Sequence, residues 1–192
     1  MGRAAVTLRA ALPQDLEALL ELWADVLRRA TPAEQAADLL SVIQSAAASD
    51  NQRLLVAEYD GEVAGAVHLS LTSISPLNLE PVVHALSPHV LPDYRRRGVG
   101  AALMEAAVAF AEERGVAYVA TAATSSSRDS NRFFARLAMG PLAVLRVAPT
   151  HTVRQRLNML RPARSRVAQS SNRHIDKVLA ARRVRRGDRV SS

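Results

Sequence analysis

At 192 residues and 48% hydrophobic content, the chain is long enough to bury one core and too apolar to be disordered throughout. Its 25 Lys and Arg against 18 Asp and Glu give +7, but the excess is local: His151 to Ser192 holds 11 Arg and Lys177 against Asp176 and Asp188, a net +10, and Met1 to Thr150 holds 13 bases against 16 acids, a net −3. The absence of cysteine excludes disulfides, thiolate nucleophiles and thiolate zinc sites.

In chain order, Val6 to Arg9 reads as a short strand, and Leu16, Leu19, Leu20, Trp23 and Leu27 recur at helical spacing as one apolar stripe. Thr31-Pro32-Ala33-Glu34 joins a capping Thr, a first-turn Pro and a Glu able to reach back, which predicts a second helix to about Ala48. Leu54 to Glu58 and Val63 to Leu71 are β-rich runs joined at Asp60-Gly61, a pair suited to a tight hairpin because Gly accepts positive φ. Val82 to Leu91 predicts another strand, made irregular late on by Pro88. A helix follows from about Val99 to Arg114, stopped by Gly115. Ala117 to Ala123 then predicts a buried strand, Ser130 to Ala138 a short helix, and Leu142 to Ala148 one more strand. Thr152 to Leu160 and Arg173 to Arg186 each have weak helical character. Strands alternating with helices after Pro92 make the body α/β with a mixed sheet. A boundary is expected near residue 150, with 1–150 as the folded body and 151–192 as an Arg-rich extension, partly helical or disordered.

The sharpest chemical signal is a strand, then Arg95-x-x-Gly98-x-Gly100, then a helix. Two glycines let backbone approach a ligand, and the free N–H groups of a helix N-terminus attract an anion, most naturally a diphosphate. Arg95, Arg96 and Arg97 add formal charge beside it. As a bare pattern it also describes an Arg-rich turn at a helix entry, so its place between strand and helix carries the argument.

The order of elements and the run Leu91-Pro92-Asp93-Tyr94-Arg95-Arg96-Arg97-Gly98-Val99-Gly100-Ala101-Ala102-Leu103 resemble the GCN5-related N-acetyltransferase (GNAT) superfamily over about Val6 to Val147. The resemblance implies the GNAT, or acyl-CoA N-acyltransferase, fold: a mixed central sheet flanked by helices, here with a basic C-terminal extension. It implies acetyl-CoA as donor, with Arg95, Arg96, Arg97, Gly98, Val99, Gly100 and Ala101 at its diphosphate, and Pro88, His89 and Val90 pairing with its pantetheine arm. The Val90 N–H is the donor that would polarise the thioester carbonyl. Acetyl would pass to a primary amine by direct attack in a ternary complex, without a covalent enzyme intermediate or a metal. The amine must shed a proton first. The family often uses a Glu on this strand or a water chain, whereas this strand offers Glu80, His84 and His89. His84 is the first candidate base and His89 the second, with mere lining of the cleft as the plainer role for either. Phe133-Phe134 resembles the family's aromatic pair with Phe134 in the place of its Tyr, so no hydroxyl stands there to protonate the leaving thiolate. The family's coenzyme-contacting Asn falls at Ser127, and Asn131 is the alternative, with helix capping as its plainer role.

Two other readings compete with the transferase. A non-catalytic acyl-CoA-binding protein is favoured by Phe134 and the uncertain base. A nucleic-acid-associated protein rests on the tail alone, and with 4% aromatics and none beyond Phe134 there is no stacking platform, only weak polyanion contact. The N-terminus lacks a sustained apolar run and no segment is long enough to span a bilayer. No membrane association and a cytoplasmic location are therefore expected, and a homodimer is left open.

Overall fold

The computed structural model describes residues 6–123 and 127–160. The expected Arg173 to Arg186 helix, and with it residues 161–192 of the extension for which polyanion contact is expected, lie outside these residues. The chain divides into two compact units, Met1–Gly140 and Pro141–Ser192.

In the first unit, five strands form one sheet in the order β1 (Val6–Ala10), β2 (Gln52–Tyr59), β3 (Glu62–Ser73), β4 (Pro81–Val90) and β5 (Val119–Thr121). The first four pair antiparallel and β5 joins β4 in parallel, which is the mixed sheet that the alternation of elements predicts. The β2–β3 hairpin turns at Asp60 and Gly61, with φ of 54° and 85°, the two positive values that a tight primed turn demands.

Strand alternation gives the sheet two apolar faces. On one, Val67, Leu69, Val83 and Ala85 pack with Leu103, Ala107 and Phe110 of α3 (Val99–Glu113). On the other, Leu54, Val56 and Ala66 pack with Leu19, Leu22 and Trp23 around α1 (Leu16–Leu22) and with Leu39 and Ile43 of α2 (Pro32–Ala47). The capping box at the start of α2 forms as its sequence predicts: the Thr31 hydroxyl accepts from Glu34 N–H at 3.3 Å, and Glu34 accepts from Thr31 N–H at 2.9 Å. α4 (Arg128–Arg136) completes the unit and buries Phe134.

Three elements depart from the periodicity. α1 ends at Leu22, and the stripe continues to Leu27 through turns in which Val26 and Leu27 donate to the Trp23 carbonyl. β5 is only three residues long. Leu142 to Ala148 forms no strand, and Leu142, Val144, Leu145 and Val147 are exposed. Its β-rich composition is a preference that ladder partners must realise, and composition supplies none. In the second unit α5 (Thr150–Leu160) is helical, close to the range that the sequence predicts. Among the described residues no helix is long and apolar enough to cross a membrane.

Candidate active site

The site is built where β4 stops being an ordinary strand. β4 and β5 pair only at Val83, His84 and Ala85, so from Leu86 to Val90 β4 has β3 alone as its partner. The β3–β4 register also slips between Ala66 and His68, a bulge that bends the bulged strand. At the bulge Ser87 takes a φ of 47°, and its carbonyl accepts from the Trp23 indole N–H at 2.9 Å. Trp23, 5% exposed, thus ties the bulge to the end of α1.

Past the bulge, Leu91 N–H donates to Ala64 O at 2.9 Å. Backbone groups of successive strand residues point to opposite edges, so the Val90 N–H and C=O face away from β3, toward the side that β5 leaves open. The approach of β4 to β3 is close here. A Cβ on Gly65 would stand 2.5 Å from His89 O and 3.1 Å from a Val99 methyl, so only glycine lets β3, β4 and the start of α3 converge. The sequence reading did not single out Gly65. A glycine inside a strand pattern, the usual mark of a bulge or close backbone approach, was the available signal.

The chain then makes a short 3-10 turn at Pro92–Tyr94 and enters the Arg-rich loop. Arg95 is extended, Arg96 is left-handed at φ 61°, and Gly98 is left-handed at φ 91° as the N-cap of α3. The first helical bond runs from Ala102 N–H to Gly98 O at 3.0 Å, which leaves the N–H groups of Val99, Gly100 and Ala101 without intrahelical partners. Val99 is buried, whereas Arg95, Arg96 and Arg97 are exposed. Val90 and Phe133 flank Gly100, at 3.8 and 3.6 Å from where its Cβ would be. The open edge of β4, the N-terminus of α3 and Phe133 of α4 therefore meet at one place.

The other predicted residues fall around this junction. His84 is half-buried, opposite Ser70 on β3 and Ala120 on β5. Since Val83 and Ala85 enter the α3 core, His84 points to the opposite sheet face, the one that carries α1 and α2. His89, opposite Ala66, shares that face. His68 shares it too, with its ring nitrogen 3.2 Å from Gln52 Oε1; burial holds its pKa below the ordinary histidine value, so its imidazole is neutral at pH 7. Ser127 is the N-cap of α4, accepting from Ser130 N–H at 3.4 Å, and the Asn131 amide donates to Ser127 O at 2.7 Å. Of the aromatic pair, Phe134 is 9% exposed and packs in the α3 core, while Phe133 reaches the loop, its ring 5.3 Å from that of Phe134. Thr121 was also not singled out by sequence; its hydroxyl donates to Ala85 O at 2.8 Å, at the last β4–β5 pair. Among the described residues no three His, Asp or Glu side chains gather as metal ligands.

A transcriptional regulator from Bacillus halodurans C-125 superposes with a TM-score of 0.62 at 21% identity, over 76% of this chain and 99% of that one. The aminoglycoside N-acetyltransferase AAC(6')-Iy in complex with CoA gives 0.63 at 20%, over 78% and 97%. A ribosomal-protein-alanine N-acetyltransferase from Brucella melitensis biovar Abortus 2308 gives 0.58 at 19%, over 76% and 99%. These likenesses establish a shared fold. No curated protein matches in sequence. The model of the acetyltransferase (GNAT) family matches residues 16–139, a span holding both helices of one sheet face, the bulged strand and the whole Arg-rich loop, and the chain belongs to that family.

Proposed function

We propose that the protein transfers an acetyl group from acetyl-CoA to a primary amine by direct attack in a ternary complex, and that residues 1–150 carry this activity while 151–192 form an Arg-rich extension. The observation that carries the reading is the junction of two unpaired backbone surfaces: the open edge of β4 at Val90 and the three free N–H groups that begin α3. An extended arm of amides ending in a diphosphate has the shape and the charge for both. Complexes of AAC(6')-Iy with CoA and with a CoA-linked acetylneamine analogue support the same donor here.

In this reading Pro88, His89 and Val90 pair with the amide arm, and the loop from Arg95 to Ala101 holds the diphosphate. Ser127 and Asn131 reach the arm from the start of α4. Acetyl-CoA supplies an activated thioester. The Val90 N–H donates to the carbonyl oxygen as negative charge develops there. His84, on the sheet face away from α3, receives the proton that the amine must lose, with His89 as the alternative. Phe133 and Phe134 supply no hydroxyl, so the leaving thiolate takes its proton from water.

Calorimetric titration with acetyl-CoA, followed by thiol-release assays over aminoglycosides, amino sugars and peptide N-termini, tests the reading. Saturable binding and turnover with at least one amine are expected. His84→Ala should lower kcat about a hundredfold or more with CoA affinity retained. No binding overturns the reading. Binding without turnover on any amine supports instead a non-catalytic acyl-CoA-binding protein, which the hydroxyl-free aromatic pair favours.

A further inference from the structure

The three arginines of the loop are not equivalent. Tyr59 ends β2 beside the Asp60–Gly61 turn, and Tyr94 ends the short turn before the loop. Their rings lie 5.7 Å apart at 52°. The Arg97 guanidinium sits over both, 5.1 Å from the Tyr59 centroid and 5.8 Å from that of Tyr94. A planar cation held against two aromatic faces has given up most of its side-chain freedom. Arg97 stands between Arg96, left-handed without being glycine, and Gly98, the left-handed cap whose carbonyl receives the first bond of α3. Anchoring Arg97 therefore fixes the backbone on either side of it, and with it the direction of the free N–H groups. Nothing comparable holds Arg95 or Arg96: among the described residues neither takes part in a cation–π contact or an ion pair.

We infer that Arg97 is a positioning residue, clamped by Tyr59 and Tyr94 so that the β2–β3 hairpin braces the coenzyme loop, while Arg95 and Arg96 supply the charge that meets the diphosphate directly. The inference rests on the reading of this loop as a coenzyme site. It divides the labour within that site: the clamp preorganises the backbone donors, and binding then costs less ordering.

A double-mutant cycle on the full chain tests it, with CoA affinity measured by calorimetry for Tyr59→Leu, Arg97→Leu and the double variant. Each single change should weaken CoA roughly three- to tenfold, the double should be no weaker than the weaker single, and Tyr59→Phe, which keeps the ring, should restore wild-type affinity. If Tyr59→Leu does not fold, Tyr94→Leu takes its place in the cycle. Unchanged or tighter binding in the ring variant, with additive loss in the double, would mean that Arg97 acts on the phosphate directly and would overturn the inference while leaving the coenzyme reading intact. Absence of CoA binding by the wild-type chain removes the coenzyme reading, and the inference with it.

Discussion

Gly65 and Asp15 show how single positions hold the site and its frame. A methyl at position 65 would press on the His89 carbonyl and the Val99 side chain together, and because the nearer of these is backbone, the strand itself must move. Gly65→Ala should cost about 1–3 kcal/mol of stability and weaken CoA more than a remote substitution of equal stability cost; a melting curve and a titration on the same sample check this. Asp15 works at the other end of β1. It is 5% exposed, takes two bonds from Arg9 at 2.7 and 2.8 Å, and accepts from Leu12 N–H at 2.7 Å. Arg9 also reaches Glu58 at 2.6 Å, so the corner between β1 and α1 is pinned to β2. The Arg9 guanidinium is the main reason that the Asp15 carboxyl titrates below its usual range. A carboxyl whose pKa is lower folded than unfolded contributes its full stabilisation above the unfolded value, near 3.8, and loses it as pH falls through the folded one. Denaturant titrations at pH 7 and from pH 4 downward should show wild type losing more stability on acidification than Asp15→Asn, with Asp15→Asn weaker by about 2 kcal/mol at pH 7. Parallel acid profiles would remove Asp15 from this role.

At the scale of elements, the start of α3 separates folding from binding. The Cβ of a residue at 100 would meet Phe133 and Val90 at ordinary contact distance, and a carboxylate in the first helical turn favours the helix. Gly100→Asp should therefore leave the melting temperature unchanged or slightly raised while lowering CoA affinity tenfold or more through repulsion of the diphosphate; unchanged affinity would dissociate the loop from the coenzyme. This loop was legible because its chemistry is local: glycine, helix entry and charge are all written within six residues. The same holds for the Thr31–Glu34 capping box and the Asp60–Gly61 turn. Elements whose limits depend on distant partners were not legible. Nothing near Leu22 announces the end of α1, because Trp23 leaves the helix to bond a carbonyl sixty-four residues away. Pro88 signalled an irregular strand, but the positive φ falls on Ser87, a placement that only the pairing with β3 determines. Leu142 to Ala148 has strand composition without a strand, for the converse reason that composition carries no partner.

For the whole molecule, the net +7 is the sum of a mildly acidic body and a strongly basic extension, and the two should behave as separable charges. In the body, Arg95, Arg96 and Arg97 are exposed beside the N-terminus of α3. The +10 of residues 151–192 is spread over a segment without aromatic residues, so contacts with a polyanion would be electrostatic, indifferent to sequence and weakened by salt. Full-length protein is expected to bind duplex DNA or heparin at low ionic strength and to release it as salt rises. Deleting 161–192 removes ten of the twelve bases that follow Thr150, so the truncated chain should lose that binding while CoA affinity and acetyl transfer persist. Retained polyanion binding after truncation would move the interaction onto the body, where Arg95, Arg96 and Arg97 form an exposed cluster, and competition by CoA would then reveal it.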